Sequence, residues 1–254
     1  MLATLEIKIK PKENIFLKRN YGSLFHGYLL SKIDSNYVEK LHNLKLNPYS
    51  QYFYFDKKEN SYIWKISTLN KEAKEKIIDI MLNDTNETIT FDYNKIKIGI
   101  LSKEITSITN YKNLADKFFL SDETKRFANI TFLTPTTYKV NKKFTFFPNL
   151  DNIFISIYNK WNAYGENISL EDSNIIEDIS KNVNNVNIVK YNLRSVKFSM
   201  EGVKIDSFIG NIVIYCSCNK MLANIYNTLL EFSKYAGIGA KTSISMGGVN
   251  IERN

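Results

Sequence analysis

Residues 49–83 read YSQYFYFDKKENSYIWKISTLNKEAKEKIIDIMLN, and the hydrophobic period changes inside the stretch. YSQYFYF and SYIWKISTL are short, rich in aromatic and β-branched residues, and separated by the polar turn DKKEN, which reads as two strands in hairpin order. From Asn70 onward the spacing lengthens. Ala73, Ile77, Ile80 and Met81 fall on one face of an amphipathic helix running through NKEAKEKIIDIMLND.

Outward from this core, the alternating LATLEIKIK at the N-terminus is a strand and SLFHGYLLSKI a helix. Beyond the hairpin and its helix, ETITF and NKIKIGILSKEIT are strand-like. The order β-α-β-β-α-β, filling the first half of the chain, is that of a ferredoxin-like unit. In the second half RFANITFLTPTTYKV and KKFTFFPN form a hairpin around Asn141, and DNIFISIYNKWNAYG is a helix. NIVKYNLRSVKFSME and FIGNIVIYCSC are strands, and KMLANIYNTLLEFSKYAG is a helix closed by Gly237. The reading is an α+β protein of two tandem ferredoxin-like domains, 1–118 and 119–254, joined through NLADKFFLSDETK and ending in a glycine-rich loop.

Composition bounds the function. The chain has 254 residues, 34 Lys and Arg against 26 Asp and Glu, a net charge of +8, and 13% aromatic residues. A basic surface with many Tyr and Phe suits phosphate neutralisation and stacking on exposed bases, though a lysine-rich composition alone produces basic proteins too. Cys216 and Cys218 alternate onto one face of a strand; with no second Cys pair or His cluster they read as free thiols rather than zinc ligands. No apolar run approaches the ~18 residues needed to span a bilayer, and the N-terminus lacks the apolar core of a signal peptide. A soluble, cytoplasmic protein without cofactor or metal is expected.

The C-terminal stretch YAGIGAKTSISMGGVNIERN, residues 235–254, raises the question of phosphate. A P-loop needs glycine immediately before the lysine and another five positions earlier, between a strand and a helix. Ala240 and Tyr235 stand there instead, and a helix precedes the segment. What remains is either an anion-lining loop around Lys241, Thr242 and Ser243 or a tight connection into a last strand, GGVNIE.

Two blocks carry a family resemblance. Gly237-Ile238-Gly239-Ala240-Lys241-Thr242-Ser243, followed by Met246-Gly247, is similar to the C-terminal glycine-rich loop of the CRISPR-associated repeat-processing endoribonucleases, with Ser245 where glycine is usual. Residues 131–162, TFLTPTTYKVNKKFTFFPNLDNIFISIYNKWN, resemble the middle signature of that family: Phe132-Leu133-Thr134-Pro135-Thr136, then Phe147-Pro148, then a helix with Phe154 that ends at Trp161-Asn162. The resemblance implies paired ferredoxin-like domains, binding of CRISPR repeat RNA, and one metal-free cut per repeat that releases guide RNAs. Other subunits of an interference complex are further partners it implies, and the chain is a monomer or homodimer.

Metal-free RNA cleavage uses the 2′-OH as nucleophile and leaves a 2′,3′-cyclic phosphate and a 5′-OH. The protein must move two protons and stabilise a phosphorane. Histidine suits the proton transfers, and the chain has two, His26 and His42. His26 lies on the first helix, where the resembling enzymes keep their catalytic histidine; Leu24, Phe25, Tyr28 and Leu29 form the apolar face and His26 points away from it. His42 is a second candidate. Lys32, six residues on and about 120° round the helix, is a candidate phosphorane stabiliser. Tyr21, just before the helix, is a candidate hydrogen-bond donor. For RNA contacts the candidates are Gly237, Gly239, Lys241 and Gly247 in the loop, Lys139, Lys142 and Lys143 on the hairpin, and Arg194 and Lys197 on a strand. The competing readings are a non-catalytic repeat-RNA-binding subunit and a metal-dependent nuclease, the latter requiring clustered carboxylates that Asp56, Glu59, Glu72, Asp79 and Asp84 do not suggest.

Overall fold

The computed structural model describes residues 1–13, 15–91, 95–165, 185–200 and 202–253. The first half contains β1 (Leu2–Pro11), α1 (Gly22–Lys32), α2 (Ser35–Asn43), β2 (Tyr49–Asp56) and β3 (Ser61–Thr68). A continuous helical segment follows, made of α3 (Lys71–Ala73), a π turn (Lys74–Ile78) and α4 (Asp79–Asn83), then β4 (Thr88–Thr90) and β5 (Lys97–Thr109). The strands form an antiparallel sheet ordered β2-β3-β1-β5-β4.

After α5 (Tyr111–Phe119) come β6 (Phe127–Thr136), the hairpin β7 (Tyr138–Val140) and β8 (Lys143–Thr145), α6 (Leu150–Tyr164), β9 (Val186–Met200), β10 (Val203–Cys216), α7 (Lys220–Ala236) and β11 (Val249–Glu252). The second sheet is ordered β11-β6-β10-β9 and is also antiparallel. Both strand orders are consistent with the expected ferredoxin-like arrangement. Two expected strand ends, Asn94 and Glu201, lie outside the described residues.

Asx residues start five of the helical segments. Asp34, Asn70, Asn110, Asn149 and Asn219 each accept from a backbone N–H of the first turn, replacing a donor–acceptor pair the helix itself cannot supply. Each cap contributes about 1 kcal/mol.

The odd residues of β1, Ala3, Leu5, Ile7 and Ile9, are fully buried and face α1, α2 and the 71–83 segment. Phe25 of α1 anchors that core, its ring centroid 4.9 Å from Phe53, 4.8 Å from Trp64 and 5.1 Å from Phe91. The opposite face of the same sheet meets the second half. There Thr4 bonds Ser67 at 2.9 Å, Ser50 donates to the Tyr235 carbonyl, and Ser107 pairs with the Tyr235 hydroxyl at 2.6 Å.

Two local expectations need correction. Ile80 is 43% exposed and Ile78 is fully buried, because the π turn winds fewer degrees per residue than an α-helix and rotates Ile78 inward and Ile80 out. The segment between the halves is helical in its first part, where Tyr111, Leu114 and Phe118 of α5 are buried and the Tyr111 ring contacts Trp161 and Phe232 of the second core. Cys216 and Cys218 are joined in a disulfide rather than free: alternation brings both to one side of the strand end, with Cα atoms 5.5 Å apart, inside bonding reach. No described helix is long and apolar enough to cross a membrane.

Candidate functional site

The glycine-rich loop, residues 237–248, is fastened on every side. Its amides are taken by protein acceptors: Gly237 by Ser233 O, Ile238 by Gly247 O, Ala240 by Thr137 O and Gly247 by Pro135 O, all at 2.8–2.9 Å. Gly239 N donates to Ser156 Oγ and Gly248 N to Thr134 Oγ1. Gly239 has φ +86° and Gly247 φ +67°; a Cβ would come 2.3 Å from Thr137 O at the first and 2.0 Å from Ile238 O at the second. Glycine is required there by the left-handed backbone and the close approach together. Ser245 also adopts a left-handed conformation, φ +72°, and its side chain fits only because Gly22 faces it; a Cβ on Gly22 would stand 2.1 Å from Ser245 Cβ.

Beneath the loop, α6 supplies two hydroxyl or ammonium anchors on one face, Ser156 and Lys160, four residues apart. Lys160 is 4% exposed and its Nζ lies 2.5 Å from Ala236 O and 2.6 Å from Thr242 Oγ1. It thus satisfies a carbonyl at the C-terminal end of α7, where the helix dipole favours a cation. Burial lowers its pKa from 10.5 to about 7.

The loop is pinned to the first half by a buried amide. Gln51 of β2 donates from Nε2 to Gly22 O at 3.1 Å and to Ser243 O at 3.0 Å, while its Oε1 accepts from Trp64 Nε1 at 2.8 Å. Asn47 donates to Ser243 Oγ at 3.2 Å. These contacts set the N-terminal turn of α1 directly against residues 242–245.

His26, one turn into α1, is brought into this junction. Its Nδ1 lies 3.1 Å from the Tyr49 hydroxyl, with the two rings nearly parallel at 14°. The His26 pKa falls from 6.5 to about 4; burial is the main cause, the nearby His42 and Lys241 charges add to it, and a hydrogen bond to the Ser243 carbonyl opposes it. The imidazole is therefore neutral at pH 7. Burial also pushes the Tyr49 phenol well above its ordinary value, so it remains an O–H group. His42 and Lys241 are both exposed beside this half-buried ring. Lys241 itself has φ +62°.

The other expected residues sit elsewhere. Lys32 is paired with Asp84 at 3.2 Å and lies 5.1 Å over the Tyr28 ring. Tyr21 packs edge-on against Phe91. Lys139, Lys142 and Lys143 occupy the β7–β8 hairpin, and Arg194 lies across a cleft from it on β9; Lys197 is 3.3 Å from Asp206 of the paired strand. Among the described residues no group of three or more His, Cys, Asp or Glu gathers as a metal site would require.

Ser243 was expected as part of the loop, whereas Tyr49, Gln51 and Lys160 were not expected from the sequence. Tyr49 stands 23 residues from His26, and no local spacing links them. Lys160 did carry a signal: three residues after Ile157 and seven after Ile153, it falls on the apolar stripe of its helix.

A family model described as CRISPR-associated endoribonuclease Cas6 matches residues 130–249. The chain is 28% identical over 228 residues to a CRISPR-associated endoribonuclease Cas6 of Streptococcus thermophilus, covering 90% of each. It is 28% identical over 235 residues to a protein of the same description from Mycobacterium tuberculosis, covering 91% of this chain and 71% of that one. The fold is similar to that of a Cas6 product complex, with TM-score 0.78, 17% identity and 99% of both chains covered. A Thermus thermophilus Cas6 superposes with TM-score 0.74 at 16% identity, over 99% of this chain and 98% of the other.

Proposed function

The chain belongs to the family of CRISPR-associated endoribonucleases Cas6, and from that premise we propose that it binds CRISPR repeat RNA and cuts it once per repeat without a metal ion. We read both halves as ferredoxin-like domains whose junction is the reaction site. The observation that carries this reading is the meeting of His26 and Tyr49 from the first half with Ser243 and Lys241 from the second.

In the proposed reaction neutral His26 takes the proton of a ribose 2′-OH. The oxygen attacks the adjacent phosphorus, the bond to the 5′-oxygen breaks, and that oxygen leaves with a proton as the 5′-OH, opposite a 2′,3′-cyclic phosphate. Tyr49 orients the imidazole through Nδ1. The exposed ammonium of Lys241 stabilises the extra negative charge of the phosphorane. We assign that charge to Lys241 rather than Lys32, because Lys32 is held by Asp84. His42 is the candidate donor to the leaving oxygen. Gly237, Gly239 and Gly247 contribute by shaping the loop that carries Lys241 and Ser243, and the cations of the hairpin and β9 hold the RNA backbone.

The test is cleavage of a repeat RNA from the protein's own array in EDTA, beside His26→Ala, with the product ends mapped. A single cut with a cyclic-phosphate end, lost in His26→Ala while binding persists, is the expected result. Binding without any cut by the wild type would instead identify a non-catalytic subunit, and loss of cutting in EDTA would identify a metal-dependent enzyme.

A further inference from the structure

A cleft of about 540 Å³ opens at the edge of the second sheet, away from the His26 junction. One wall is the chain running from β8 into α6, Thr145, Phe146, Phe147 and Pro148. The other is the edge strand β9, through Ile188, Tyr191, Leu193, Arg194 and Ser195, with Phe208 of β10 at the base. The register explains why Ile188, Tyr191, Leu193 and Ser195 share a face, while Arg194, which also lines the cleft, alternates to the other. Ile214 pairs with Ile188 and Val213 with Lys190, so Val189 is an extra, bulged residue. The bulge moves Ile188 onto the face that already carries Tyr191, Leu193 and Ser195.

Two features decide what fits. Phe147 is 75% exposed and Tyr191 72% exposed, one on each wall. Large rings with flat faces left in water on opposite sides of a cleft are unusual in a surface that has no partner. The volume is that of a small-ligand site, too small for a folded element. Residues 138–148 contain Lys139, Lys142 and Lys143, residues 186–200 contain Lys190, Arg194 and Lys197, and neither stretch contains an Asp or Glu. The acids flanking the walls are Asp151 on α6 and Asp206 on β10, the latter already paired with Lys197. An apolar, aromatic slot bordered by cations matches a nucleotide, whose base stacks and whose phosphate is anionic.

We propose that this cleft binds an unpaired nucleotide of the RNA, its base between Phe147 and Tyr191 and its phosphate against Arg194. The proposal deepens the repeat-RNA reading and rests on it only for the identity of the natural ligand. Tyr191 lies seven residues from Phe198, which packs with Met246 beside the glycine loop, so the slot is roughly 20 Å along the strand from the loop. The base it takes is therefore several nucleotides from the scissile bond, and the cleft sets the register of the cut rather than its chemistry.

The experiment measures affinity by fluorescence anisotropy for two probes, the repeat RNA and a short, unstructured RNA of adenines, in a His26→Ala background. Phe147→Ala and Tyr191→Ala are each expected to weaken both about tenfold with an unchanged salt slope. Phe147→Trp and Tyr191→Phe, which keep the rings, should bind like the parent. Arg194→Ala should weaken binding and reduce the salt slope by about one. Unchanged affinity of both alanine variants overturns the proposal, even if wild-type protein cuts the repeat and the proposed function stands. Adenine RNA held through these rings by a protein that neither binds nor cuts the repeat supports the cleft and removes the proposed function. If the alanine variants abolish binding to phosphatidylglycerol vesicles or self-association and leave RNA affinity intact, the cleft belongs to a lipid surface or a second copy, and the proposal fails.

Discussion

The glycine loop and the β9 edge lie in the same half of the molecule and are built in opposite ways. In the loop most backbone amides and several other polar groups have a partner inside the protein: amides on Thr137, Pro135 and Ser156, the Ser243 carbonyl on Gln51, the Thr242 hydroxyl on Lys160. Along β9 the rings and cations point into water, and Lys190, Tyr191 and Arg194 are all exposed. The glycines mark where backbone must pass close to backbone, which is a packing requirement. The exposed aromatic and basic residues mark a surface left for something else. A glycine-rich stretch beside a lysine is thus weaker evidence of a ligand than two solvated rings facing each other across a cleft.

The contrast makes its largest prediction for stability. Gly247→Val must be destabilising by at least about 4 kcal/mol, since it combines a positive φ with a Cβ 2.0 Å from a carbonyl oxygen. Phe147→Ala must stay within about 0.5 kcal/mol of wild type. Urea unfolding of the two variants checks both, and similar losses would erase the distinction between the regions.

Lys160 tests whether the loop's anchor is as buried as the edge cations are not. Its side chain releases a proton at about 7 in the native state and at 10.5 when unfolded. Between those values the unfolded chain binds the extra proton, so stability rises with pH; below 7 the cost of the buried charge is complete. The stability of wild type minus that of Lys160→Met should therefore climb by a few kcal/mol from pH 7 to 10, followed by denaturant unfolding at each pH.

Gln51→Leu leaves the Trp64 indole N–H and the Gly22 and Ser243 carbonyls without their partner, an expected loss of about 2–3 kcal/mol. It should also slow repeat cleavage more than it weakens RNA binding, because it loosens the junction and leaves the edge strand untouched. Comparing kcat with KM for this variant separates those effects.

The smallest effects concern His26. With its pKa near 4, the acidic limb of kcat/KM for cleavage should fall near pH 4 rather than 6.5, and Lys241→Ala should move it up slightly by removing a neighbouring charge. Native His26 resists protonation until about pH 4 while the unfolded chain takes the proton at 6.5. Its contribution to stability is therefore neutral above 6.5 and becomes unfavourable as pH falls toward 4.

The strand–helix order was legible because alternation and helical spacing are local properties, and they held for β1, β2, β3, α1, α6 and α7. The failures have local causes too weak to show in a pattern. A π turn shifted the face at Ile78 and Ile80, and the cysteine pair read as free thiols is joined in a disulfide. His26 stood out as one of two histidines, and Lys241 by its glycine setting. Tyr49 did not, being one of 16 tyrosines.

By itself the sequence determined the elements, their order, the basic and aromatic character of the chain, and the short list of groups able to move a proton near neutral pH. Those follow from periodicity and side-chain chemistry, which each residue carries with it. Which groups meet was decided by the tertiary structure alone. The pairing of His26 with Tyr49, the clamp of Gln51 on Ser243 and the burial of Lys160 under Thr242 join residues 23, 192 and 82 positions apart. The first needs the first half folded, the third the second half folded, and only the clamp of Gln51 on Ser243 needs the two halves to meet; burial among these packed groups then lowers the pKa of His26 and of Lys160.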